Sequence, residues 1–201
     1  MKALLLIGGQ GTRLRPFTCE TPKPLLPVLN RPFLEYQLEI LRHHGIREAV
    51  LCTAYRPADF KALLGDGRGR GVRLSFVHED TPLGTGGAVK NAEGLIDGTV
   101  LVLNGDILNT LDIGAFARTH RRAKADATIA LTRVKDPTLY GLVETSEDGL
   151  VKRFLEKPSW DEITCNTVNA GAYLFEPDVL KLIPPGVPYS LERGLFPALL
   201  Q

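Results

Sequence analysis

Gly8, Gly9 and Gly11 follow a short apolar run that ends at Ile7, and the cations Arg13 and Lys23 come next with Glu20 as the sole acid between them. Glycines let a backbone approach a ligand closely, and free amides beside fixed cations suit a polyphosphate. The loop lacks the Gly-Lys-Ser/Thr that places a lysine and a magnesium-binding hydroxyl in a P-loop. A dinucleotide fold would want a third glycine where Arg13 and Leu14 stand. It would also want an acid at the end of the second strand, which here reads Leu51-Cys-Thr-Ala-Tyr55.

Three further segments carry chemistry. Asn104-Gly-Asp106 follows a fully apolar stretch. It reads as a turn, and a carboxylate there is also where a magnesium ligand would sit beside phosphates. In Glu156-Lys157-Pro158 the proline stiffens the chain after a lysine that either faces solvent or meets a phosphate. His78-Glu-Asp-Thr-Pro-Leu-Gly-Thr-Gly-Gly87 begins polar and becomes glycine-rich as a helix starts. Glu79 and Asp80 there are either solvated turn residues or carboxylates in need of donors. Guanine offers two adjacent ones, N1–H and N2–H₂. His43 and His44 read as residues of a helix C-terminus, where cations are favoured. No Ser/His/Asp order stands out as a triad.

Positioning these segments requires a sheet. Ala3–Ile7, Ala49–Thr53, Val72–Val77, Thr99–Leu103 and Ala127–Leu131 are short and continuously apolar, as buried parallel strands are. Helices are expected between them: one from Pro32 to Gly45, then Pro57–Leu64, Thr85–Ala92 and Ile113–Ala123. This alternation predicts an α/β sheet with helices on both faces. Such sheets bind ligands at the carboxyl ends of their strands, so the four segments are expected to line one cleft. After about Arg133 the rhythm changes. Tyr140–Thr145, Val151–Glu156 and Thr167–Phe175 read as strands of a more antiparallel lobe packed on the sheet, with a turn at Glu147-Asp-Gly149. Pro177–Ile183 and Leu191–Leu200 read as helices, the second capped by Ser190.

With 201 residues, 44% of them hydrophobic, one domain with a sizeable core is expected. A net charge of +1 provides no global field toward nucleic acid or membrane. The basic run Arg118-Thr-His-Arg-Arg-Ala-Lys124 reads as the solvated end of a helix. Three cysteines without Cys-x-x-Cys spacing suit free thiols in a reducing cytosol. The apolar run at the start is too short for a signal peptide, and no later one is long enough to span a bilayer. A soluble cytoplasmic protein is expected.

Together these residues resemble the sugar-1-phosphate nucleotidylyltransferases. The resemblance is carried by Gly8–Pro16, Pro22-Lys-Pro-Leu25, Pro82–Ala88, Asn104-Gly-Asp106, Tyr140-Gly141, Glu156-Lys-Pro158, Asn169-Ala-Gly171 and Glu192 through Phe196-Pro197, in the family's order. Within the family the chain is most similar to mannose-1-phosphate guanylyltransferases, through Glu79 and Leu-Gly-Thr-Gly-Gly87. The resemblance implies a Rossmann-like mixed, mainly parallel sheet flanked by helices, of the nucleotide-diphospho-sugar transferase type, with a small β-rich sugar-binding lobe. It implies a single domain over 1–201, with a nucleotide part at about 1–133 and a sugar part at about 134–201. The implied reaction is Mg²⁺-assisted in-line attack of a sugar 1-phosphate on the α-phosphorus of a nucleoside triphosphate, with pyrophosphate leaving. Gly8, Gly9, Gly11 and Thr12 would hold the nucleotide, and Glu79 and Gly84 would read the base. Arg13 would stabilise the leaving pyrophosphate, Lys23 would neutralise the α-phosphate, and Asp106 would bind Mg²⁺. Gly141, Glu156 and Asn169 would hold sugar hydroxyls, and Lys157 the sugar phosphate.

Relatives carry a second metal-binding aspartate in an aromatic–x–Asp–Ile/Met–Gly segment beyond the final Phe-Pro helix. This sequence ends at Gln201, before any such segment, so its C-terminal end reads as truncated. GTP with mannose 1-phosphate is the leading assignment. A heptose-1-phosphate guanylyltransferase stays open through Arg31-Pro-Phe-Leu-Glu-Tyr36, and so does a catalytically silent, nucleotide-sugar-sensing regulatory subunit. Oligomeric state is left open, with a homo-oligomer among the options.

Overall fold

The alternation of the apolar runs decides the architecture. In β1 (Lys2–Leu6), β4 (Glu48–Thr53) and β6 (Val100–Asn104), successive side chains point to opposite faces, and both faces are apolar. Ala3, Leu5, Leu51, Leu101 and Leu103 enter one core. Leu4, Val50, Cys52 and Val102 enter the other. A computed structural model describes residues 1–201.

The first core is closed by α1 (Phe33–His43), α2 (Pro57–Leu64) and α4 (Ile113–Ala123), through Leu34, Leu38, Leu41, Phe60, Leu64, Ile113 and Phe116. The second is closed by α3 (Gly84–Asn91), by a wide π-type turn at Leu191–Leu195 and by α5 (Phe196–Leu199). Pro32 precedes α1 rather than opening it and lies in a two-residue ribbon, β2 (Pro27–Val28) with β3 (Arg31–Pro32). The predicted helix at Pro177–Ile183 is a run of 3₁₀ turns over Pro177–Leu182, and Ser190 caps the last helical segment by accepting from Glu192 N and Arg193 N. No helix is long and apolar enough to cross a membrane.

The sheet has eight strands. β5 (Arg73–His78), β4, β1 and β6 run parallel, in that order. β10 (Thr167–Phe175) pairs antiparallel with β6 and also with β7 (Ala127–Arg133). The run at Ala127–Leu131, expected among the parallel strands, therefore has an antiparallel neighbour. Beyond β10 come β8 (Gly141–Thr145) and β9 (Val151–Glu156), antiparallel to each other.

β10 overshoots the parallel half. Ala172 lies opposite Leu103 near the end of β6, so Thr167–Asn169 extend past that end, beside Leu131–Arg133 and Leu142. The expected lobe is this overshoot with the β8–β9 hairpin. It continues the sheet rather than packing across it. A register shift between Asn169 and Tyr173 bends the strand, and Gly171 takes φ +69 there.

The basic run at the end of α4 is only partly solvated. His120 is buried, with Nδ1 against Thr128 Oγ1 at 2.7 Å and Nε2 against Glu176 Oε1 at 3.0 Å. The hydrogen bonds from Thr99 and His120 hold the Glu176 carboxyl below its usual range.

Candidate active site

The chain leaves β1 at Leu6, and Ile7 still donates to Cys52 O at 3.0 Å. Gly8 then passes close to β4: a side chain there would stand 3.2 Å from Ala54 N and 3.6 Å from Glu79 Oε1. Gly11 adopts φ +63, and a methyl group on it would meet Thr18 Cγ2 at 2.9 Å and Lys23 Cβ at 3.0 Å. Thr18, donating to Gly11 O at 2.9 Å, fixes the return of the loop. The loop therefore runs from the Glu79 side to the Lys23 side.

A cavity of about 440 Å³ opens along that path, at the carboxyl ends of β1, β5 and β6. It is lined by Gly8, Gly9, Gly11, Thr12, Arg13, Lys23, Glu79, Gly84 and Asp106, together with Thr85 and Asn104. Every residue expected to touch the nucleotide thus faces one space, of a size that suits a small-molecule ligand. Lys23 Nζ lies 2.7 Å from Asp106 Oδ2. Arg13 is exposed and makes no ion pair.

Glu79 is only 6% exposed. Its Oε2 accepts from Leu83 N at 2.9 Å, and no protein donor reaches Oε1. Burial raises its pKa, opposed by the Leu83 amide and by His78. A buried carboxylate with one oxygen free toward a cavity is an acceptor waiting for a donor.

The glycines after Pro82 have a job of their own. Gly86 N and Gly87 N donate to Tyr189 O at 2.8 and 3.1 Å, and Tyr189 N returns a bond to Leu83 O at 2.8 Å. Side chains at Gly84 or Gly86 would stand 2.8 Å from Tyr189. The start of α3 is therefore taken by a backbone carbonyl, and Gly86 and Gly87 do not line the cavity, whereas Pro82, Gly84, Thr85 and Ala88 do.

The expected sugar-binding residues lie outside this lining and form an adjoining cluster. Gly141 pairs with Glu156, and a side chain on Gly141 would meet Phe154 Cζ at 2.6 Å and Glu156 Oε2 at 3.1 Å. Lys157 is exposed, adopts φ +52 and donates its amide to Tyr140 O at 3.0 Å. Left-handed backbone before a proline is strained. Asn169 bridges the bend of β10, accepting from Gly171 N at 2.8 Å and donating to Tyr173 Oη at 2.8 Å. Burial raises the Glu156 carboxyl, and Glu192 adds to the rise while Lys157 and Arg193 oppose it. Burial and then Glu192 raise the Tyr173 hydroxyl in the same way.

Two contacts join the cluster to the cavity. Thr85 donates to Glu192 Oε2 at 2.8 Å and accepts from Leu191 N at 2.9 Å. Asn104 abuts Gly171, where a side chain would stand 2.9 Å from Asn104 Nδ2. The sequence motif includes Glu192 without giving it a role, and Thr85 carries no functional expectation from the sequence. A hydroxyl residue set among glycines, on an element that starts at a strand end, was the available signal.

No three His, Cys, Asp or Glu side chains are grouped so as to hold a metal alone. Asp106 nevertheless fits Mg²⁺, which commonly binds through one or two carboxylates and completes its shell with substrate phosphates and water. A second groove of about 480 Å³, along α1 and the Arg68–Gly71 turn, is lined by Arg31, Arg42, Arg68 and Arg70 with Glu35 and Glu39. Arg31 pairs with Glu39, Arg70 with Glu35, and Arg68 with Asp66 outside the lining, whereas Arg42 makes no ion pair.

The family model for nucleotidyl transferases matches residues 2–188. Mannose-1-phosphate guanylyltransferase of Mycobacterium tuberculosis is 44% identical over 98% of this chain and 55% of its own length. The catalytic subunit beta of mannose-1-phosphate guanylyltransferase from Drosophila pseudoobscura is 40% identical over 100% of this chain and 54% of its own length. This chain thus spans about half the length of these relatives. Among solved structures, HddC from Yersinia pseudotuberculosis complexed with GMP-PN superposes with a TM-score of 0.83 at 28% identity, covering 98% of this chain and 85% of that one.

Proposed function

Because the chain belongs to the nucleotidyl transferase family, we propose that it transfers a nucleotidyl group from a nucleoside triphosphate to a sugar 1-phosphate. GTP and mannose 1-phosphate are the proposed substrates, and GDP-mannose and pyrophosphate the products. One observation carries the reading: Arg13, Lys23, Asp106 and the buried Glu79 line a single cavity along a glycine loop.

The base enters on the Gly8 side, where the free Oε1 of Glu79 accepts from the guanine N1–H and N2–H₂ edge. The triphosphate follows the loop past Gly9, Gly11 and Thr12 toward Lys23. A phosphate oxygen of the sugar 1-phosphate, held by Lys157 with the sugar at Gly141, Glu156 and Asn169, attacks the α-phosphorus in line. That bond forms as the bond from the α-phosphorus to the oxygen bridging the β-phosphate breaks. Lys23 faces the charge that develops on the α-phosphate, and Arg13 faces the departing pyrophosphate. Two anions must be brought together, and aligning them is as important as neutralising them. Asp106 and the substrate phosphates would hold Mg²⁺, which supplies further neutralisation of phosphate charge when bound. In this reading residues 1–133 serve the nucleotide and 134–201 the sugar phosphate, and the exposed thiol of Cys19 suits a reducing cytoplasm.

Pyrophosphate release from GTP, UTP, dTTP and ATP against mannose, glucose and heptose 1-phosphates tests the proposal. Release with GTP and mannose 1-phosphate supports it. Binding of GDP-mannose with no pyrophosphate release from any pair would make the chain a sensor.

A further inference from the structure

The turn that carries Asp106 is short, and its direction must be fixed. On one side it packs against β1: Gly105 N donates to Leu6 O at 2.9 Å, and a side chain on Gly105 would stand 2.2 Å from Ile7 Cγ2. On the other side stands Gln37 of α1. Its Nε2 donates to Asn104 O at 2.9 Å and to Ile107 O at 2.7 Å, the two carbonyls that bracket Gly105 and Asp106. Both partners are acceptors, so the amide nitrogen has to be the end that faces them.

Gln37 is only 3% exposed, within a helix stripe otherwise made of Leu34, Leu38 and Leu41. A leucine there would satisfy the core without burying an amide. The Gln37 Oε1 is itself buried without a partner, so the side chain carries part of that cost uncompensated. Ile107 N also donates to Asn104 O, at 3.3 Å, which makes this carbonyl the hinge of the turn.

We propose that Gln37 is a positioning residue, which holds the Asn104–Ile107 turn so that the Asp106 carboxylate faces Lys23 and the cavity. It touches no substrate. Its consequence for metal binding rests on the functional reading above, whereas its hold on the turn does not.

Gln37→Leu tests this by two readouts. Hydrogen exchange at the Ile107 amide should quicken by about tenfold or more relative to the β6 amides, since the two side-chain hydrogen bonds that hold both ends of the turn are gone. Mn²⁺ titrated with saturating β,γ-imido-GTP, followed by electron paramagnetic resonance, should bind about 10- to 100-fold more weakly, as when a group that orients a metal ligand is removed. Leu34→Ala, a core change on the same helix, should lower the melting temperature and leave both readouts in place. A folded Gln37→Leu protein with unchanged Ile107 protection and unchanged Mn²⁺ affinity would overturn the proposal. If the wild-type chain binds no Mn²⁺ with the nucleotide, the functional reading falls, and exchange at Ile107 alone decides the role of Gln37.

Discussion

Lys23→Ala should separate the charge at the reacting phosphate from the stability of the fold. Lys23 Nζ and Asp106 Oδ2 are 2.7 Å apart, with side chains 34% and 48% exposed. At that distance the attraction is about 1.5 kcal/mol with the dielectric constant of water. Ordering two side chains and screening by salt leave a net contribution of about 0–1 kcal/mol. Alanine keeps the Cβ that packs beside Gly11. The expected fall in melting temperature is therefore at most about 4 °C for a chain of this size. The rate should respond far more, because the cation faces charge that grows only in the transition state. Loss of such a group costs about 10²- to 10³-fold in kcat, or about 2.7–4 kcal/mol. Pyrophosphate release at saturating nucleotide, with calorimetry on the same samples, measures both. A kcat within a few-fold of wild type would remove Lys23 from the chemistry. A large drop in melting temperature would show that the pair is structural.

Glu79→Gln should lower the preference for GTP over UTP by about 1 kcal/mol, or about fivefold, the low end of what a bidentate base contact is worth, since only Oε1 is free to accept; an unchanged ratio of kcat/KM values would refute the base-reading role. The same substitution bears on pH. Because the Glu79 pKa is raised in the fold, the native state binds more protons than the unfolded chain between the ordinary carboxylate pKa and the raised one. Stability from this group is thus lost as pH rises through that window, and denaturant unfolding of Glu79→Gln should show a shallower loss there. Gly11→Ala forces a side chain onto φ +63 against Thr18 and Lys23, and should destabilise by about 1–2 kcal/mol and weaken nucleotide binding measured by calorimetry. Asp106→Asn should raise the Mg²⁺ concentration needed for half-maximal pyrophosphate release, or abolish release; wild-type metal dependence would count against Asp106 as a ligand.

Much of this arrangement is legible in the sequence. β1, β4 and β6 are read from continuous apolar runs because both of their faces are buried, and α2 and α4 lie at Pro57–Leu64 and Ile113–Ala123 as expected. The run at Ala127–Leu131 shows the limit. Apolarity marks it as a strand, but its antiparallel neighbour is set by β10, some 40 residues later. The glycines after Pro82 show another. Glycine signals close approach without naming what approaches, and at Gly86 and Gly87 it is the carbonyl of Tyr189. His120 is hidden among exposed charges because it shares the core-facing stripe of α4 with Ile113 and Phe116 while its chain neighbours point away. Gln37 left a visible trace, a lone amide in a leucine stripe, whose meaning depends on two carbonyls nearly 70 residues away.

The most direct measurement is a crystal structure of this chain with β,γ-imido-GTP and Mg²⁺. The guanine edge is expected on Glu79, the phosphates along Gly9–Arg13, and Lys23 released from Asp106 toward the α-phosphate. A nucleotide bound outside this cavity, or bound in it with its base at Lys23 and its phosphates at Glu79, would contradict it.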